Sequence, residues 1–382
     1  MLSDRGIRDA IAKERIIIDP FEPGPDPGSA TPNLGTNSYN LAVKYIFRLA
    51  RGACLNDVPP YTGLETERDN MLRFIERYTE PFSGTLLRHG EYIGITKEKV
   101  RSAADVILTT RSSAARRGVE FQDASPQRWH YLDSRRLKPH HLFLKIRSYV
   151  PRAKIPEGKR LVQAVFDPSP PLKGAELAEV VKNMKCYPDP TLFSQTRFHK
   201  THRLNNDGIV LHAGNKIKVH NGETLDWEKD DFHAFHEVDV TGGYKISGNG
   251  FCIVPSLEYI ELPPGYAGWL WNYDPEYDPH ISPRNFYKNP TTFMIHPNAP
   301  LFNGGSRGNQ IFETWNQQPM GFSPGREEIR DEPELYWHEI NLGVGKPISI
   351  LSLHRLDQEP KNPYDGKYAR QSGAQVSLSH LD

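Results

Sequence analysis

The sequence predicts a mainly β protein made of two tandem domains of one kind, with a few short helices. Three observations predict it. With 32 prolines and 30 glycines in 382 residues, the chain favours turns over long helices. Its apolar residues fall in short runs of strand length. Segments of the first half also recur in the second. Gly90-Glu91-Tyr92-Ile93 with Glu98-Lys99-Val100 aligns without gaps, at an offset of 160, against Gly250-Phe251-Cys252-Ile253 with Glu258-Tyr259-Ile260. Gly158 to Phe166 likewise resembles Gly345 to Leu353.

In chain order, Ser3 is a plausible N-cap for a helix carrying Ile7, Ala10 and Ile11, and Ile16-Ile17-Ile18 reads as a short strand stopped at Pro20. A Pro/Gly loop over 22–35 precedes strand patterns at Asn37–Val43 and Tyr45–Phe47; residues 51–80 show no clear pattern. Further strands are expected at Thr85–Leu87, Tyr92–Ile95, Val106–Leu108, Leu142–Ile146 and Leu161–Phe166, the spacing of a sandwich or barrel. Residues 171–206, with a short helix at Ala175–Met184 and then a polar basic run, read as the connection between a first domain at 1–170 and a second at 207–382.

Composition narrows the function classes. Lysine plus arginine equal aspartate plus glutamate at 47 each, so no global field attracts nucleic acid or an anionic membrane, and any anion site must be local. Cys54, Cys186 and Cys252 form neither a disulfide framework nor a zinc cluster. The start lacks a signal-peptide apolar region and no apolar run approaches a membrane span, so a soluble cytoplasmic protein is expected. The His233-x-x-His236-Glu237 cluster has metal-ligand spacing but no helical pattern, and reads as a solvated loop.

The densest local chemistry is Thr109-Thr110-Arg111-Ser112-Ser113-Ala114-Ala115-Arg116-Arg117-Gly118. Guanidinium groups make planar two-pronged contacts with phosphate oxygens, and the serines add short-range donors. At the offset of 160, Arg111-Ser112-Ser113 fall opposite Trp271-Asn272-Tyr273, so the second half lacks such a cluster. The second half instead has Glu313 in an apolar strand, where burial would raise its pKa toward a proton-transfer role. The matching strand of the first half puts Lys145 there. One half keeps an anion clamp and the other a general base.

These residues carry a resemblance to the dCTP deaminase branch of the dUTPase-like superfamily, in a long, duplicated form. The chain is similar to that family in Met1–Arg5 with Ile16, Asp19 and Pro20, in Asn37–Leu41, and in Arg111-Ser112-Ser113-x-Ala115-Arg116-x-Gly118. It is similar again in His296-x-Asn298-Ala299, Gly305-Ser306-Arg307-Gly308, Glu313 and the C-terminal Tyr364–Gly373 segment. The resemblance implies tandem dUTPase-like (β-clip) distorted barrels or jelly rolls and a metal-independent, hydrolytic deamination of dCTP to dUTP. It implies Glu313 as general base and acid, Ser112 and Arg116 positioning the water and amino group, and Ala299, with Asn298, holding the water. Arg111, Ser113, Lys367, Gln371 and Tyr364 would bind the nucleotide, with Mg2+ accompanying the triphosphate and no zinc. The zinc-deaminase signature of H-x-E with P-C-x-x-C is absent. A homo-oligomer is implied, with a composite site between domains, either within one chain or between chains, and with the reciprocal site at Lys145 dead. A dUTP pyrophosphatase, a bifunctional enzyme and a non-catalytic nucleotide sensor stand as alternatives.

Overall fold

The computed structural model describes residues 1–24, 32–59, 65–88, 90–123, 138–188, 191–193, 207–246, 250–272, 299–315, 340–365, 370, 372–374 and 376. Ser3 caps the first helix, Asp4–Ala12, by accepting from the Gly6 amide at 3.1 Å, and Ile7 and Ala10 are its buried face. The main sheet of the first half runs in the order Val106–Thr110, Arg160–Phe166, Tyr39–Leu49, Glu91–Ser102, His140–Ser148, Val119–Asp123. Short strands Ile16–Asp19 and Thr79–Pro81 pair with Glu91–Ser102 and Tyr39–Leu49. The two ends of this order meet, because the Phe121 amide donates to Thr110 Oγ1 at 2.9 Å. The sheet therefore curls into a distorted barrel. The unpatterned stretch 51–80 contains the helix Glu65–Tyr78, whose narrow apolar face of Met71, Phe74 and Ile75 packs on Leu49, Ile93 and Phe143.

The second half repeats the first in its hydrogen bonds. Thr96 Oγ1 donates to the Glu98 carbonyl at 2.8 Å and accepts from the Leu142 amide, while Glu98 Oε2 accepts from the Ala42 amide at 2.9 Å. In the second half, Ser256 Oγ donates to the Glu258 carbonyl at 2.5 Å and accepts from the Gln310 amide, while Glu258 Oε2 accepts from the His212 amide at 3.0 Å. A matching bulge follows: Arg160 lies opposite Ala42 and Val162 opposite Leu41, as Pro347 lies opposite His212 and Ser349 opposite Leu211. In the same frame Lys145 pairs with Ile93 and Glu313 with Ile253, so lysine does stand at the glutamate's position.

Two expectations change. The helix foreseen at 175–184 spans Gly174–Lys182 and buries Leu177 and Val181 in the second core, and Lys185–Tyr187 pairs with Tyr259–Glu261. The described part of 171–206 thus packs on the second half, as the first helix and strand pack on the first. The gapless offset also fails at the cluster. Thr110 pairs with Val162 and Asn272 with Ser349, so Asn272 takes the place of Thr110, and the counterparts of Arg111–Ser113 begin at 273, outside the described residues. The turn through Pro263-Pro264-Gly265 is longer than its first-half counterpart and slides the register by two residues.

The halves interlock. Leu225–Asp226 of the second half pairs in parallel with Ala153–Lys154, in a sheet completed by Thr85–Leu87. The first-half core continues into Leu225, Trp227, Phe251, Ile253 and Ile311. At the other side, the Ser3 amide donates to Asp357 Oδ1 at 2.8 Å and the Asp357 amide to the Met1 carbonyl at 2.9 Å. Among the described residues no helix is long and apolar enough to cross a membrane.

Candidate active site

The cluster lies where a strand turns sharply. Val106–Thr110 ends at Arg111, which precedes a one-turn helix, Ser112–Ala115; Arg116 and Arg117 follow, and Gly118 leads into Val119–Asp123. Gly118 has φ +64°, and a Cβ there would sit 2.6 Å from Val150 Cγ1, so a side chain is excluded twice over. The Tyr149 amide donates to the Gly118 carbonyl at 2.7 Å and closes the turn.

Facing it is the strand Arg307–Trp315, whose alternate residues Arg307, Asn309, Ile311 and Glu313 point into one cavity. Ser112 and Arg116 line it from the first half, and Ala299, Ser306 and Tyr364 complete its polar and small-residue wall. It forms an open cleft with a cavity volume of about 60 Å³. Arg116 Nε lies 3.4 Å from Glu313 Oε1, with the two side chains 4% and 2% exposed. The strand lies at the margin of its sheet, yet Glu313 is buried because the first half packs against it. Burial pushes the Glu313 carboxyl up to about 7 from 4.5, against the opposing pull of the Arg116 charge. Among the described residues, Glu313 Oε2 has no hydrogen-bond partner. A buried carboxylate poised near neutrality, with one oxygen on a guanidinium and the other uncommitted, can accept a proton and return it.

The C-terminal segment reaches the same cavity. The Tyr364 amide donates to the Gly304 carbonyl at 2.9 Å, and Gly305, at φ +87°, brings its backbone so close that a Cβ would meet Pro363 at 2.9 Å. Further on, the Gly373 amide donates to Asn309 Oδ1 at 3.2 Å, and Val376 is buried in the first-half core.

Of the residues singled out from sequence, Ser112, Arg116, Ala299, Glu313 and Tyr364 come together within one chain. Arg111 and Ser113 are buried outside the lining, and Arg111 Nη1 donates to the Arg160 carbonyl at 2.7 Å. Asn298, Lys367 and Gln371 lie outside the described residues. Arg307 and Asn309 were missed, although strand alternation from Glu313 points to both. His233 and His236 are exposed and Glu237 pairs with Lys216 and Lys218; among the described residues no group of three or more His, Cys, Asp or Glu is placed to hold a metal.

Residues 1–169 match the family described as dCTP deaminase-like. A relative from Aquifex aeolicus named "dCTP deaminase, dUMP-forming" is 25% identical over 174 residues, 46% of this chain and 79% of the relative. The solved structure of a 2'-deoxycytidine 5'-triphosphate deaminase from Agrobacterium tumefaciens superposes with a TM-score of 0.62 at 15% identity, covering 94% of this chain and 96% of that one. This second likeness is one of fold, and it spans both halves. The first half is thus similar in sequence to the dCTP deaminase-like family, and the fold of a dCTP deaminase is shared along nearly the whole chain.

Proposed function

We propose that the chain hydrolyses dCTP to dUTP and ammonia, with Glu313 as the proton carrier. The supporting observation is the buried Arg116–Glu313 pair, its carboxyl raised to about 7, assembled from the two halves beside Ser112. Glu313 takes a proton from water as the oxygen bonds to C4 of cytosine, and gives it to ring N3. Glu313 then carries the hydroxyl proton of the adduct to the amino nitrogen, so that the C4–N bond breaks with its electrons on nitrogen, ammonia leaves, C4 becomes a carbonyl and N3 keeps its proton. Ser112 and Arg116 orient the water and the amino group, Ala299 with Asn298 bounds the water, and Tyr364, Lys367 and Gln371 cover the nucleotide.

In this reading Arg111 and Ser113 hold the triphosphate side through the shape of their turn. Among the described residues the cavity has one carboxylate, already facing Arg116, which is not the oxygen set a resident divalent cation takes. Mg2+ therefore belongs to the substrate, neutralising phosphate charge, and no step runs through it. The reading retains a homo-oligomer in the cytoplasm, acting on free nucleotide and not on nucleic acid.

The test is incubation of the full chain with dCTP and Mg2+, with ammonia and nucleotide products quantified. Ammonia with dUTP supports the reading; no deamination of dCTP, dCDP or dCMP rejects it and favours a nucleotide sensor. The name of the Aquifex aeolicus relative supports a second reading, in which dUMP and pyrophosphate appear instead of dUTP. Because Arg116 and Glu313 meet within one chain, mixing Ser112→Ala with Glu313→Gln protein is expected to restore no activity. Recovery on mixing would mean that the working site spans two chains.

A further inference from the structure

Arg117 follows Arg116 in the same turn, and the helical rotation of about 100° per residue sends their side chains to different places. Arg116 enters the cavity. Arg117 leaves it and is buried, fully, in a loop of the second half. There its Nη2 lies 2.8 Å from Asp231 Oδ2 and donates to the carbonyls of Asp226 at 2.8 Å and Lys229 at 2.9 Å. Its guanidinium lies 5.2 Å from the centre of the buried Trp227 ring. The loop has fixings of its own: the Asp226 amide donates to Asp231 Oδ1 at 3.1 Å, the Trp227 amide to the Lys154 carbonyl at 3.1 Å, and the Ala234 amide to the Asp231 carbonyl at 3.0 Å.

We infer that Arg117 is a positioning residue, through which the second half locks the Arg116 backbone in register with Glu313. The inference rests on the proposed deamination. A buried ion pair contributes little net stability compared with an apolar packing of the same volume, so stability is a weak reason to bury a second arginine here. Location is a better one. Adjacent Cα atoms are about 3.8 Å apart, so anchoring residue 117 to the second half also anchors residue 116 to the body that carries Glu313. Without this anchor, the 3.4 Å approach of Arg116 to Glu313 would depend on the general docking of the halves. The anchor calls for arginine, because a planar guanidinium both lies against an indole and serves several acceptors in fixed directions, and a lysine ammonium does not.

The test compares wild-type, Arg117→Lys and Asp231→Asn full chains by kcat and KM for dCTP, by the pH dependence of kcat, and by denaturation midpoint. A displacement of about 1 Å costs roughly 10- to 100-fold in kcat with KM changed by less than about threefold. The acid limb of the profile should also move to higher pH, because Arg116 no longer holds Glu313 down. Folded variants that lose stability but keep wild-type kcat and limb overturn the inference. If Arg117→Lys yields no folded protein, Asp231→Asn decides by the same criteria. If wild type does not deaminate dCTP, the functional reading fails separately. The positioning claim is then decided without substrate, by comparing the pH dependence of unfolding of each chain with that of its Glu313→Gln counterpart. A midpoint for Glu313 that moves up in Asp231→Asn supports the claim, and an unmoved midpoint overturns it.

Discussion

Glu313→Gln is expected to lower kcat for dCTP by at least about 100-fold and toward about 10⁴-fold, the range that a positioned acid–base group contributes. Glutamine keeps the shape of the side chain and can still meet Arg116, so nucleotide affinity measured by calorimetry should be little changed. In the wild type the carboxyl must be ionised to accept a proton from water, so kcat should rise with pH through about 7 and level off above it. A variant that turns over within tenfold of wild type would remove Glu313 from the chemistry.

The same substitution should change how stability depends on pH. Burial raises the folded-state pKa of Glu313 from 4.5 to about 7, so the stability it lends is fully present below about 4.5 and is lost as pH rises through about 7. The loss amounts to about 3 kcal/mol by linkage. Other groups titrate over this interval, including the buried His354, so the useful quantity is the difference between wild type and Glu313→Gln. In urea titrations that difference should fall by about 3 kcal/mol between pH 4.5 and pH 8, to the disadvantage of the wild type. A difference that stays flat would mean that the carboxyl titrates as it does in the unfolded chain, and the acid–base reading would lose its physical basis.

Much of this was legible before the structure. Short apolar runs located most strands, because period-two burial leaves a direct trace in sequence. Glu313 stood out because a carboxylate that follows Ile311 and Phe312 in an apolar strand has no ordinary reason to be there, and the repeat set Lys145 opposite it. The division of labour among the three arginines was not legible. Their residue type is the same, and only the rotation of a single turn sends Arg111 to the Arg160 carbonyl, Arg116 to Glu313 and Arg117 to Asp231. The helix Glu65–Tyr78 escaped notice because its apolar face is a narrow stripe in a charged segment. The misplaced counterparts of Arg111–Ser113 followed from one longer turn, which an alignment without gaps cannot absorb.

The two-residue strand Leu225–Asp226 has a consequence for anyone handling the protein. Homology draws a boundary at residue 169, which invites expression of the first domain alone. Such a fragment would lack its parallel neighbour for Arg152–Lys154, the Trp227 indole that fills its core, and the Asp231 carboxylate that neutralises Arg117. It would present an open strand edge, a hole and an arginine stripped of its Asp231 partner together. The segment that matches the family by itself is, in this chain, no longer a separable part.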